Sequence, residues 1–436
     1  MKLATLFHNG LFAFTILCEC PLSYLIRRYV TPKKRPYFHI FFGFLICSYL
    51  YGLKFLLVLA SYLVTYAMLF LPGSYCLLSL IIPFVSLGII HAYKYMHVGE
   101  WGSDISGLIM FNALRFWTIA FNLADGRKKE IKRKQWKDIA ISRPPSFLLY
   151  IAYLFSYNGL YSGPVIPITT FDEIMQMSND EASAKSDFKD SSIIWLQSFI
   201  MCLTYGIGIR IIPAEFIISE KFISLPYIIK LFIGCLECFL HISRYMFAWL
   251  GGEAGFRALG AEHVKTVDFE NCRSIRLSVF FRLRSISELS REWNHTVHFV
   301  LKEFIHVRLL TAGFPYVVAR AATFLFSAYW HGFLPGYYIL AFEEMIFGYF
   351  DDLRRKWFDK VLEKYIGEKY VYYFDIAWTH MLNFFMGAPF DLYWAEPYFR
   401  FYKIMKFGPY IVLAIMILIG YIFKPKQNVV KQTKVN

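Results

Sequence analysis

From end to end this chain is a succession of apolar stretches, each close to the ~20 residues that cross about 30 Å of hydrocarbon. They fall at about 4–25, 37–71, 74–94, 103–123, 146–163, 193–213, 223–250, 312–345, 369–388 and 407–423. A 436-residue chain that is 57% hydrophobic and only 18% charged, with a mean hydropathy of +0.42, does not match soluble composition. It reads as an all-α polytopic membrane protein. Two stretches exceed one helix: 37–71 carries Lys54 near its middle, and 312–345 is interrupted by His331-Gly332-Phe333-Leu334-Pro335-Gly336. Each is expected to split or to hold a re-entrant break, for about eleven crossings.

The excess of 46 Lys+Arg over 32 Asp+Glu gives +14, but the cations sit between apolar stretches, which is the topology signal rather than a nucleic-acid footprint. Clusters at Arg27–Arg35 and Arg127–Lys137, together with a basic tail over 424–436, are expected in the cytosol, with the N-terminus luminal. The first apolar stretch lacks a basic leader and a small-residue cleavage site, so it is expected to be retained. One membrane-embedded domain is expected over 1–436, with its motif-bearing part at about 100–390. The cysteines lie mostly in apolar sequence and form neither a disulfide framework nor a zinc site.

Ionisable residues inside apolar sequence are costly and therefore informative. In 223–250, Lys230, Glu237, His241 and Arg244 share a helical face, which fits a buried ion network at least as well as a functional lining. In 312–345, Arg320, Thr323, Ser327 and His331 fall on one face that ends where Gly332 and Pro335-Gly336 break the helix. Imidazole titrates near neutrality, so His331 is a candidate general base. The amphipathic segment 285–311 adds Trp293, Asn294, His295, His298, Lys302, Glu303, His306 and Arg308; His295 and His298 alone make a weak case for a metal, and none is expected. No GxSxG elbow, P-loop or dinucleotide motif is present. Ser162-Gly163-Pro164 on its own reads as a turn.

The run Arg291-Glu292-Trp293-Asn294-His295-Thr296-Val297, followed 37 residues after Asn294 by the His331 of Ser327-Ala328-Tyr329-Trp330-His331-Gly332, resembles the two-part signature of the membrane-bound O-acyltransferases. Tyr157-Asn158-Gly159-Leu160 through Ser162-Gly163-Pro164, and Ala248-Trp249 with Glu253-Ala254, are similar to further parts of that family. The stretch from Asp268 through Ile275 into Phe280–Arg284 resembles the lysophospholipid branch, and within it the enzymes that acylate lysophosphatidylinositol.

The resemblance implies transfer of a polyunsaturated acyl chain from acyl-CoA to the sn-2 hydroxyl of a lysophospholipid at the endoplasmic reticulum membrane. Acyl-CoA would be a co-substrate, with no cofactor. His331 would be the base, and Asn294 would orient the acceptor or the carbonyl oxygen. Trp293, Trp330, Arg320, Ser327 and Glu253 would contact substrate, and Arg273, Arg276, Arg282 and Arg284 would bind the CoA phosphates. Other lysophospholipid acceptors, a protein acceptor on the same fold, and a transporter using Arg320, Glu237 and His331 are the alternatives; the absence of an inverted repeat weighs against the last.

Overall fold

The computed structural model describes residues 2–97, 105–131, 133–265 and 273–423, and among these it is helical with no strand. The basic tail 424–436 and residues Asp268 to Cys272 of the motif approach lie outside the described residues. A long first helix, α1 (Lys2–Tyr29), precedes the 37–71 stretch, which does split: α2 (Arg35–Tyr51) ends at Gly52, whose φ of 58° only glycine adopts readily, and α3 (Lys54–Met68) starts with Lys54 exposed. Then come α4 (Ile81–Met96), α5 (Ser106–Gly126), α6 (Phe147–Leu154), α7 (Glu181–Ile211) and α8 (Tyr227–Ala258). The amphipathic segment forms α9 (Ile286–Glu292) and α10 (His295–Leu301). The 312–345 stretch breaks into α11 (Tyr316–His331) and α12 (Pro335–Arg354), followed by α13 (Glu368–Leu392), α14 (Ala395–Ile404) and α15 (Gly408–Phe423).

Five helices among the described residues are long and apolar enough to cross a bilayer, and α14 with α15, bent by 58°, would make a sixth. Eleven crossings therefore do not follow from helix length and composition. Large apolar side chains such as Leu57, Ile228 and Phe232 are more than two-thirds exposed on the outside of the bundle, the position that lipid covers.

One apolar stretch behaves differently from its expectation. Residues 146–163 do not form a span: α6 stops after two turns, and 155–167 continue as irregular backbone that is buried throughout. Bare peptide groups inside a bilayer protein survive only where protein satisfies them. Here the Arg115 guanidinium donates to the Leu154 carbonyl (3.3 Å) and the Gly159 carbonyl (2.6 Å). The buried Glu19 carboxylate accepts from the Gly159 N–H (2.9 Å) and from the Asn158 amide (2.8 Å), and Asn158 in turn accepts from the Phe256 N–H (2.7 Å). Tyr153 donates to the Ile166 carbonyl (2.5 Å). The loop lies against the Gly251-Gly252-Glu253-Ala254-Gly255 face of α8, where a Cβ on Gly252 would collide with the Gly163 carbonyl and one on Gly255 with Asn158. Ser162-Gly163-Pro164 is thus part of a packed internal loop rather than a surface turn.

Several charged side chains inside the bundle have partners. The α8 stripe of Lys230, Glu237 and His241 is buried, His241 lies 3.7 Å from Glu237 and bonds the Ile212 carbonyl at 2.9 Å, and Arg244 donates to Tyr245 at 2.6 Å. At the far end of α12, Arg354 is fully buried and ion-pairs Asp351 (2.9 Å), Asp359 (2.5 Å) and Asp375 of α13 (3.0 Å). These are structural ion networks.

Arg115→Leu leaves the Leu154 and Gly159 carbonyls without their donor and Glu19 without its nearby cation. The expected cost is about 3–5 kcal/mol, read as a lowered unfolding midpoint of the purified protein in detergent.

Candidate active site

α11 and α12 form an antiparallel hairpin. The break between them comes where Gly332 takes φ 144°, and a Cβ there would sit 2.9 Å from the Tyr337 ring. The break leaves His331 as the last residue of α11, at the apex of the hairpin. Its neighbour Trp330 anchors that apex: the indole N–H donates to the Met110 carbonyl (2.7 Å), and the Trp330 carbonyl bonds the His91 ring (3.0 Å). The His331 imidazole is enclosed by aromatic rings, with centroids of Trp330, Phe390 and Tyr337 at 4.8, 5.3 and 5.7 Å.

Asn294 reaches the same cavity from a different element. It precedes α10 with left-handed backbone angles of φ 44° and ψ 58°, a conformation asparagine tolerates better than most residues. The turn is held by the His295 N–H donating to the Ser274 carbonyl (2.8 Å) and by the Thr296 hydroxyl accepting from the Val165 N–H of the internal loop (3.3 Å). The Asn294 side chain is 7% exposed, and its carbonyl oxygen has no partner among the described residues. A buried, unsatisfied acceptor on strained backbone is costly in stability and is what a pre-organised binding group looks like.

Both residues line one cavity of about 460 Å³. Trp293, packed on Trp249 at 4.9 Å, shares this wall, and the stripe of Arg320, Thr323, Ser327 and His331 faces the cavity along its whole length. The structure therefore brings together His331, Asn294, Trp293, Trp330, Arg320 and Ser327.

It does not bring the remaining expected residues to the cavity. Glu253 is buried behind the site, where it accepts from the Ser274 N–H (3.1 Å) and lies 4.0 Å from Arg273, which also faces Glu262 at 3.8 Å. Arg276 is held by Glu292 (3.1 Å) and Arg284 by Asp375 (3.2 Å), while Arg282 is exposed. Cations bound to carboxylates in this way serve the fold around α9. Glu303 and Arg308 are likewise tied to Trp136 (3.1 Å) and Asp125 (2.5 Å).

Sequence reasoning missed Tyr245, Ser290, Tyr337, Glu344, Asn383 and Phe390, all on the cavity wall. Glu344 and Asn383 carried a usable signal, being polar positions within apolar helices. The α8 charge stripe is the buried ion network that its spacing allowed for, since the face of α8 that reaches the cavity carries Ile242, Tyr245 and Trp249 instead.

The family model described as membrane-bound O-acyltransferase matches residues 88–386. The chain is 25% identical over 362 residues to membrane-bound glycerophospholipid O-acyltransferase 2 of Gallus gallus, covering 77% of this chain and 68% of that protein. It is 25% identical over 271 residues to a lysophospholipid acyltransferase of Schizosaccharomyces pombe, covering 57% of this chain and 52% of the relative. A membrane-bound acylglycerophosphatidylinositol O-acyltransferase of Danio rerio is 25% identical over 243 residues, covering 49% of this chain and 50% of the relative. The chain thus spans from about half to two-thirds of the length of these relatives.

Gly332→Ala tests the hairpin apex. A side chain at φ 144° that also crowds Tyr337 is expected to cost about 1–3 kcal/mol, seen as a drop in thermal midpoint together with altered near-ultraviolet circular dichroism from the aromatic cluster.

Proposed function

The chain belongs to the membrane-bound O-acyltransferase family, and we propose that it transfers a polyunsaturated acyl chain from acyl-CoA to the sn-2 hydroxyl of lysophosphatidylinositol. The observation that carries the reading is the convergence of Asn294 and His331, from separate elements, on one largely apolar cavity. The relatives' names support a lysophospholipid acceptor, and one of them names the phosphatidylinositol class.

The chemistry needs few groups because the thioester is already activated. His331 removes the proton of the acceptor hydroxyl as its oxygen attacks the thioester carbonyl. The tetrahedral intermediate then collapses with cleavage of the C–S bond, and the proton passes from His331 to the departing CoA sulfur. Asn294 supplies two N–H donors for the carbonyl oxygen and an acceptor for the incoming hydroxyl. Being neutral, it orients both without adding charge beside the imidazole. The aromatic enclosure of His331 keeps water from competing as nucleophile.

For the donor's phosphates, Lys302 and Arg291 are better placed than the paired arginines, since both reach the cavity wall and Lys302 is exposed. Arg282, exposed as well, is a further candidate. The basic clusters around Arg27–Arg35 and Arg127–Lys137 support an orientation in the endoplasmic reticulum membrane with these segments cytosolic.

Microsomes from cells lacking related activities, expressing wild type, His331→Ala or Asn294→Ala at equal levels, are given arachidonoyl-CoA and lysophosphatidylinositol, -choline, -ethanolamine or -serine. Wild type is expected to form diacyl product fastest with the inositol acceptor, and either variant to lose at least about 100-fold in rate. Absence of product from wild type with every acceptor would overturn the reading. Faster turnover of the choline or serine acceptor would overturn the inositol assignment alone.

A further inference from the structure

His331 has a support outside the cavity that the transfer chemistry does not touch. His91, on α4, is buried behind the hairpin apex and is not part of the cavity lining. α11 stops at His331, so the carbonyls of its last turn have no following turn to donate to them. The Gly332 N–H closes back on the Ala328 carbonyl (3.0 Å), and the His91 Nε2 meets the Trp330 carbonyl (3.0 Å). A carbonyl oxygen can only accept, so the His91 Nε2 carries the hydrogen. α4 holds the same turn a second time, because the Tyr329 hydroxyl donates to the Phe84 carbonyl (2.7 Å). That approach needs Gly88, where a Cβ would fall 2.8 Å from the Tyr329 oxygen. The His91 ring also meets Phe333 edge-on at 5.8 Å, and a Cβ on Gly332 would lie 3.5 Å from its Nδ1. His91 thus spans the helix break, against Trp330 on one side of His331 and Gly332 and Phe333 on the other.

Resting on the assignment of His331 as the base, we propose that His91 is a positioning residue that sets the aim of the His331 imidazole. The Trp330 carbonyl and the His331 N–H belong to one planar peptide unit. Fixing the oxygen therefore fixes the plane from which the His331 side chain projects. A turn of that plane by about 10° carries an imidazole nitrogen roughly 5 Å away through about 0.9 Å, beyond the ~0.5 Å within which a catalytic group must be held. The Trp330 indole, bonded to the Met110 carbonyl, holds that residue's side chain, and His91 holds its peptide. A leucine or phenylalanine at position 91 could fill the space but not orient the carbonyl, which would be left buried without a donor. Because His91 lies outside the cavity, its loss bears on the chemical step rather than on the binding of either substrate.

Purified full-length wild type, His91→Gln, His91→Asn, His91→Phe, His331→Ala and the double variant His91→Phe/His331→Ala are assayed in vesicles with arachidonoyl-CoA and lysophosphatidylinositol, each substrate varied in turn. His91→Phe keeps the bulk of the ring and loses its donor, and the expected result is a kcat lowered about 30-fold with both KM values within about threefold. His91→Gln, whose amide can still donate to the Trp330 carbonyl, is expected within about fivefold of wild type. His91→Asn, whose donor falls short of that carbonyl, should lie between them, and it replaces His91→Phe in both comparisons if the latter does not fold. The double variant should lose nothing beyond His331→Ala, since a residue that only aims the base has no effect once the base is gone. A raised KM at full kcat, an equal loss in the Gln and Phe variants, or a further loss in the double variant overturns the positioning role and leaves the base in place. A wild type inactive with every lysophospholipid, or a His331→Ala variant as active as wild type, overturns the base assignment and this inference together.

Discussion

The organisation of this protein turns on a solvation problem. An irregular segment, residues 155–167, runs through the interior of a membrane bundle, where each peptide group that fails to find a partner costs several kcal/mol. Glu19 from the first helix, Arg115 from the fifth and Asn158 from the segment itself meet that demand. The glycine-rich face of Tyr227–Ala258 lets the backbone come close enough to be covered. Because Val165 then donates to Thr296, two residues past the left-handed turn at Asn294, the same satisfied loop fixes one wall of the cavity. Elements distant in sequence are thereby committed to a single arrangement.

The part of the cavity that carries His331 is built by other means. His331 owes its place to a helix that stops: Gly332 adopts a backbone angle closed to other residues, and Pro335 starts the next helix. Trp330 carries the positional information, bonded through its indole to the fifth helix and through its carbonyl to His91 of the fourth. Asn294 and His331 approach from supports that share no helix, so their meeting reflects the whole fold rather than any local motif.

Much of this was legible in the sequence because helical periodicity survives in a membrane protein wherever one face must avoid lipid. The spacing of Arg320, Thr323, Ser327 and His331 put them on one helical face, and the four residues do line the cavity. The break after His331 and the splitting of 37–71 followed from glycine, proline and a mid-stretch lysine. What could not be read was partnership. Hydropathy does not distinguish a spanning helix from a buried loop, so 146–163 looked like any other stretch. A charge stripe does not say whether it faces a cavity or another helix, and Glu237 and His241 turned out to serve packing. Arg276 and Arg284 looked available to phosphates only because Glu292 and Asp375, which neutralise them, lie 16 and 91 residues away.

The buried cluster in which Arg354 meets Asp351, Asp359 and Asp375 has a mechanical meaning. It lies at the foot of Pro335–Arg354, about 28 Å along the axis from the hairpin apex. Over that lever arm, one degree of tilt at the foot moves the apex by roughly 0.5 Å, about the whole positional tolerance of a catalytic group. A hydrophobic foot of equal volume could hold the helix as strongly, yet greasy contacts slide more readily than a guanidinium forked between carboxylates. The charges at one end of the helix thus act as an alignment device for the chemistry at the other.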